Sequence, residues 1–172
     1  GFAALGWTTG GNAPWLVEST NVAAGSFAAR SGSIGDGQTS SLILNRSFRA
    51  GVGSFSVNVS SEPVWDVLTF ILDGVTQQQW SGDVGWTSYA FPVSAGVHSM
   101  EWRYAKDPNN SVGMDAAFID NVNLPLVLAA NASTPAHLTA VRQAGGSVFI
   151  NLTGQTNQLY WLQASTNLQN WV

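Results

Sequence analysis

The sequence predicts an all-β chain built as an antiparallel sandwich or barrel, and three observations carry that prediction. Apolar residues recur at every second position, the period of a strand with one buried face. Glycine-containing breaks punctuate these segments at short intervals. Helix start and stop signals are nearly missing.

Taken in order, strands are expected over residues 15–19, 23–29 and 41–48. "SFSVNVS" (54–60) then sends Phe55, Val57 and Val59 inward, with Ser and Asn outward. "DVLTFILDG" (66–74) is a more continuous apolar run that ends in Asp-Gly, a strong turn signal. "TSYAFPVSAG" and "VHSMEWRYA" read as a strand pair with Ser-Ala-Gly at the bend. "AAFIDNVNLPLVL" reads as a further strand, with Phe118 and Val122 on one face and Ile119 and Asn121 on the other. The first domain is expected over 1–128. Residues 129–135, small and proline-containing, read as a linker. The second unit, 136–172, reads as strand, Gly-Gly turn, strand, Gly-Gln-Thr-Asn turn, strand. Three strands do not close a sandwich, so this unit is expected to be incomplete in the sequence at hand.

Composition narrows the class. The chain has 172 residues, 45% of them hydrophobic, enough for one good core or one and a half domains. Only 9% are charged, far below the usual quarter, so solubility falls to Ser, Thr, Asn, Gln and Gly. That profile suits exported, glycan-facing or assembly-forming β-proteins. A net charge of −4 with six Lys plus Arg leaves no nucleic-acid footprint. The apolar stretch "LPLVLAANA" is too short for membrane insertion. With no cysteine there is neither a disulfide framework nor a thiolate metal site. The chain starts at Gly1 inside what reads as structured sequence, so it is expected to be a mature product or a fragment of something longer.

Three groups of residues carry candidate chemistry. "DPNNSVGMD" offers Asp107, Asn109, Ser111 and Asp115 at alternate offsets, like the opening of a calcium loop. Val112 sits where such a loop needs glycine, and no acid occupies its last ligand position. The competing reading is a polar hairpin loop whose Asp and Asn side chains bond their own backbone. "WSGDVGW" sets Trp80 and Trp86 around a Gly-rich turn with Asp83 between them, a possible sugar clamp, since saccharide C–H faces stack on indole rings. Its competitor is a pair of tryptophans capping the sandwich edge, with Trp65 and Trp102 in or near the core. Asp120, third, lies inside an apolar strand, where an unpaired carboxylate is costly. It must face solvent, meet a cation or accept several hydrogen bonds. No catalytic residues are assigned. Glu62, Asp66, Asp83 and Glu101 form no evident acid–base pair, and His98 and His137 lack metalloprotease or triad spacing, so no enzyme is expected.

"FAARSGSIGDGQTSSL", "EPVWDVLTFILDG", "WSGDVGWTSYAFPVSAGVHSMEWRYAKD" and "GMDAAFIDNVNLP" occur in this order. Together, over residues 7–126, they resemble the MAM-like jelly-roll domains of bacterial surface proteins, related to cleaved-adhesin domains. "LYWLQASTNLQNW" is similar to a fibronectin type III-like segment at the end of large secreted bacterial proteins. The resemblance implies an antiparallel jelly-roll β-sandwich followed by a smaller, incomplete Ig/fibronectin III-like β unit. It implies an extracellular or cell-surface adhesion or carbohydrate-binding module, often holding structural Ca2+. A jelly roll that makes the first and last strands neighbours would bring Glu18 to Asp120, with Asp36 supplying a third oxygen. The alternative for Asp120 is a hydrogen-bonded turn anchor. Expected partners are a polysaccharide or surface glycoprotein, or further copies of the chain in a polymer. Two other functions stand beside the adhesin reading: a fibre or sheath subunit assembling by strand complementation, and an accessory domain of a secreted glycoside hydrolase.

Overall fold

Two five-stranded antiparallel sheets face each other in the computed structural model, which describes residues 6–127 and 137–154. One sheet orders its strands β1 (Thr8–Gly11), β4 (Thr39–Phe48), β9 (Gly96–Ala105), β6 (Val67–Leu72) and β7 (Val75–Ser81). The other orders β2 (Leu16–Glu18), β3 (Ala28–Arg30), β10 (Ala116–Asn123), β5 (Gly51–Ser60) and β8 (Asp83–Val93). Within these two sheets, β2–β3 and β6–β7 are the pairs of consecutive strands that stay in one sheet. Every other connection carries the chain across the core, giving a jelly-roll sandwich. No helix among the described residues is long and apolar enough to cross a membrane.

Alternation explains the core. Phe55, Val57 and Val59 are buried from β5, as their period predicts, and meet Leu68 and Phe70 from β6 and Met100, Trp102 and Tyr104 from β9. Phe70 lies 4.6 Å from Phe91 and 4.9 Å from Trp102 between ring centroids, and Phe55 is 5.3 Å from Trp102 in an edge contact. Burying one such side chain contributes about 1.5–3 kcal/mol, so this aromatic cluster outweighs any single loop contact. The Asp73–Gly74 turn closes the β6–β7 hairpin with φ of 51° and 78°. Both angles are positive, as a two-residue type I′ turn requires, and Asp-Gly supplies them cheaply.

Four local expectations need correction. β8 and β9 do not pair: β8 pairs β5 in one sheet, whereas β9 lies between β4 and β6 in the other. The bend at 94–95 is a crossover, which lets the aromatic faces of both strands meet across the core. The strand expected over 23–29 is only Ala28–Arg30, because the backbone N–H groups of Ala23 and Ala24 bond the Asp120 carboxylate and not a neighbouring strand. In β10 a bulge between Asp120 and Asn123, with Asn121 at φ 50°, breaks the simple alternation. Val122 therefore packs on the core beside Ile119, while Phe118 is buried on the other side beneath the Arg30 guanidinium, 5.8 Å from its ring. Trp65, expected near the core, is 61% exposed. Strands β1 and the polar edge strand β7 add to those expected.

The chain divides into two units, Gly1–Val127 and Leu128–Val172. In the second, β11 (His137–Arg142) pairs antiparallel with β12 (Val148–Thr153) around a turn with Gly145 and Gly146 at φ 104° and 92°. The linker residues 129–135 and the third strand expected from "LYWLQASTN" lie outside the described residues.

Candidate functional site

Three loops gather at one end of the first unit: 31–38 after β3, 61–66 after β5, and 106–115 after β9. Lys106 leaves β9 with its side chain only 1% exposed, and its ammonium contacts Asp115, Ser111 and, at 3.2 Å, Asp36. Tyr104 donates its hydroxyl to the other oxygen of Asp115 at 2.8 Å. Burial pulls the Lys106 ammonium downward, but its bonds to Asp115 and Asp36 outweigh that, and its pKa stands above the usual lysine value. Burial likewise raises Asp115, yet the Lys106 and Tyr104 bonds win and hold it below the usual carboxylate range. Burial, with the Asp115 bond and charge, pushes the Tyr104 hydroxyl well above its ordinary value.

Beside this network lies a second group of acids. Asp66 is completely buried; its Oδ1 accepts the Asp107 N–H at 3.0 Å, while Oδ2 has no hydrogen-bond donor. Burial is the dominant cause of its raised pKa, despite the Asp107 bond and the Lys106 charge. Carboxylate oxygens of Glu62, Asp66 and Asp107 lie within 4.8 Å of one another. Next to them is a hollow of about 560 Å³ lined by Glu62, Trp65, Asp107, Pro108, Asn109 and Asn110. The turn that presents Trp65 holds Val64 at φ 74°, a rare conformation for a β-branched residue, with its N–H bonded to Ser81 Oγ at 3.0 Å. Strain of this kind collects at functional loops.

The residues expected to share a calcium ion are distributed differently. Asp120 Oδ2 accepts the Ala23 and Ala24 N–H groups at 2.9 and 3.0 Å, and Oδ1 accepts that of Asn121 at 2.6 Å. Glu18 caps the same loop, accepting the Asn21 N–H at 2.7 Å and the Thr20 hydroxyl at 2.8 Å. Strand β3 separates β2 from β10, so their two strands are not neighbours, and Asp36 belongs with Lys106. The set of Glu18, Asp36 and Asp120 therefore does not fit one ion: Asp120 is a turn anchor. The 107–115 loop also divides. Asp107 Oδ1 accepts the Asn109 N–H at 2.8 Å, a local polar turn, and Asp115 faces Lys106.

Nor do Trp80 and Trp86 face each other across Asp83. Trp80 pairs with buried Leu68 and packs edge-on against Tyr89 at 5.4 Å, inside the sandwich. Trp86 donates to Asn21 Oδ1 at 2.9 Å, and Asn21 donates to Asn58 Oδ1 at 3.0 Å. Asn58 alternates with the core residues Val57 and Val59, which puts that chain of bonds on the opposite side of its sheet. Asp83 is exposed.

Elsewhere, His98 Nδ1 lies 2.6 Å from Asp73 Oδ2 and its Nε2 3.1 Å from Ser94 Oγ. The connectivity is that of a catalytic triad, but His98 Nε2 is also 3.1 Å from the Ser94 carbonyl, which calls for a proton on that nitrogen. With both ring nitrogens donating, His98 clasps the crossover and is not poised as a base.

Trp65, Glu62 and Asp66 were the residues the sequence reading did not assign. A usable signal existed: Leu68 and Phe70 face the core, so strand parity places Asp66 inward and Trp65 outward.

No family model matches the chain, and no curated protein does. Among solved structures, the secreted serine protease VesC from Vibrio cholerae matches with a TM-score of 0.57 and 15% identity over 72% of this chain. The matched region spans 25% of that protein's length. TmCBM61, solved in complex with beta-1,4-galactotriose, matches with a TM-score of 0.50 and 18% identity over 72% of this chain and 92% of its own. At these identities the likeness establishes the fold alone, a two-sheet β-sandwich shared with TmCBM61.

Proposed function

We propose that the chain is a non-catalytic carbohydrate-binding module of a larger extracellular protein, and that it takes a saccharide in the hollow beside Trp65. The observation that carries this reading is an indole 61% exposed at the rim of a hollow otherwise lined by Glu62, Asp107, Asn109 and Asn110. A pyranose presents an apolar C–H face and a rim of hydroxyls. Trp65 offers a surface for the first, while the asparagine amides and carboxylates supply donors and acceptors for the second. The sandwich shared with TmCBM61, which was solved in complex with beta-1,4-galactotriose, supports the class of ligand. Export is supported by the low charge content and by the secreted neighbour.

Affinity electrophoresis against soluble galactans, xylans and glucans tests this. Trp65→Ala is expected to weaken binding to the retained polysaccharide about tenfold or more, the loss of one stacked ring. Trp80→Ala and Trp86→Ala serve as comparisons. Full retention by Trp65→Ala, with loss in Trp86→Ala, would move the site to the other sheet.

A further inference from the structure

We infer that Glu62, Asp66 and Asp107 form a binding site for a divalent cation, Ca2+ by chemical class, next to the hollow that Glu62, Trp65 and Asp107 line. Geometry permits one shared ion. Two oxygens on opposite sides of a Ca2+ are about 4.8 Å apart, given Ca–O bonds of about 2.4 Å. The three carboxylates have oxygens within 4.8 Å of one another.

A second observation, independent of the clustering, points to a missing partner. Asp66 is completely buried and its Oδ2 receives no hydrogen bond. Glu62 Oε2 is likewise a buried oxygen without a donor. Buried carboxylate oxygens are normally satisfied, because desolvating them without a partner costs several kcal/mol by order of magnitude. The nearest cation does not settle the account. Among the ion pairs of the described residues, only Lys106 reaches this group, standing 3.9 Å from Asp66 Oδ2. That ammonium already contacts Asp115, Asp36 and Ser111. Three carboxylates thus converge where the adjacent positive charge is committed elsewhere.

The donor set selects the ion. Oxygen-only, carboxylate-rich sites on loops suit hard cations, and Ca2+ accepts irregular geometry that Mg2+ does not. The three ligands come from two loops, 61–66 and 106–115, joined by the Asp107 N–H to Asp66 Oδ1 bond. The inference adjoins the saccharide reading without depending on it.

The test is calorimetric titration of Ca2+, up to about 10 mM, into chelator-treated protein with no saccharide present, above the dissociation range of extracellular calcium modules. The expected result is one site, with Glu62→Gln and Asp107→Asn each raising the Kd about tenfold or more, since affinity follows the count of charged ligands. Asp66→Asn is expected to abolish binding; if that variant fails to fold, Glu62→Gln and Asp107→Asn decide. Glu18→Gln is expected to bind like the parent chain. The inference is overturned if the parent chain gives no binding heat and no rise in Tm, or if folded Glu62→Gln and Asp107→Asn bind Ca2+ unchanged. Because no sugar is present, that failure leaves the Trp65 test standing.

Discussion

Asp120 sets the path of nine residues. Its two oxygens gather three backbone N–H groups, from Ala23, Ala24 and Asn121, so the chain between β2 and β3 loops over the sheet and does not extend β3. Hydrogen bonds to a charged acceptor contribute about 1.5–3 kcal/mol each, and orphaned N–H groups that stay buried cost a similar amount. Asp120→Ala is expected to destabilise the first unit by about 2–4 kcal/mol, read as a lower midpoint in urea denaturation. A midpoint within error of the parent's would mean that water replaces the carboxylate at no cost. At this scale the sequence was half legible. It posed the right alternatives for Asp120, because a carboxylate in an apolar strand must find partners. It could not choose between them, because two of those partners, Ala23 and Ala24, lie 97 and 96 residues away along the chain, and they are backbone groups that any residue type provides.

Elements follow the same division between local and distant causes. The Asp73–Gly74 turn was readable because two adjacent residues determine its φ angles. The partners of β8 and β9 were not, because Ser-Ala-Gly permits a hairpin and a crossover alike, and the packing of Phe91 against Phe70 decides between them. The clasp of His98 on Asp73 and Ser94 ties that crossover to the β6–β7 turn. Its hydrogen bond to Asp73 raises the His98 pKa, and the same bond lowers that of Asp73. The raised histidine contributes stability that is full below its unfolded pKa of about 6.5 and is lost as pH rises through the folded value. The lowered carboxylate contributes above its ordinary value of 3.8 and loses that as pH falls through its folded value. Tm is therefore expected to gain most from the pair between about pH 4 and 6.5, and His98→Gln should flatten the profile. Parallel curves for the parent and His98→Gln would remove the clasp from the account.

For the whole molecule, the aromatic cluster and, among the described residues, those packed with it belong to the first unit. A chain ending at Val127 is expected to fold on its own, with near-ultraviolet dichroism intact and a Tm within about 3 °C of the first-unit transition of the full chain. Loss of cooperative melting would show that residues after 127 complete its core. The two-layer architecture was the most legible property of the sequence, since period-two alternation recurs in the long central strands β5, β6 and β9 and an isolated error elsewhere does not alter the sum. The location of the hollow was the least, since loops from two separate parts of the chain converge there.

Glu62, Trp65 and the 107–110 segment lend no side chain to the buried cluster. Selection can therefore rewrite what this end of the protein grips while leaving its folding code untouched. A handful of substitutions in two short segments would suffice to retarget the proposed site, so chains with the same frame are expected to differ there first.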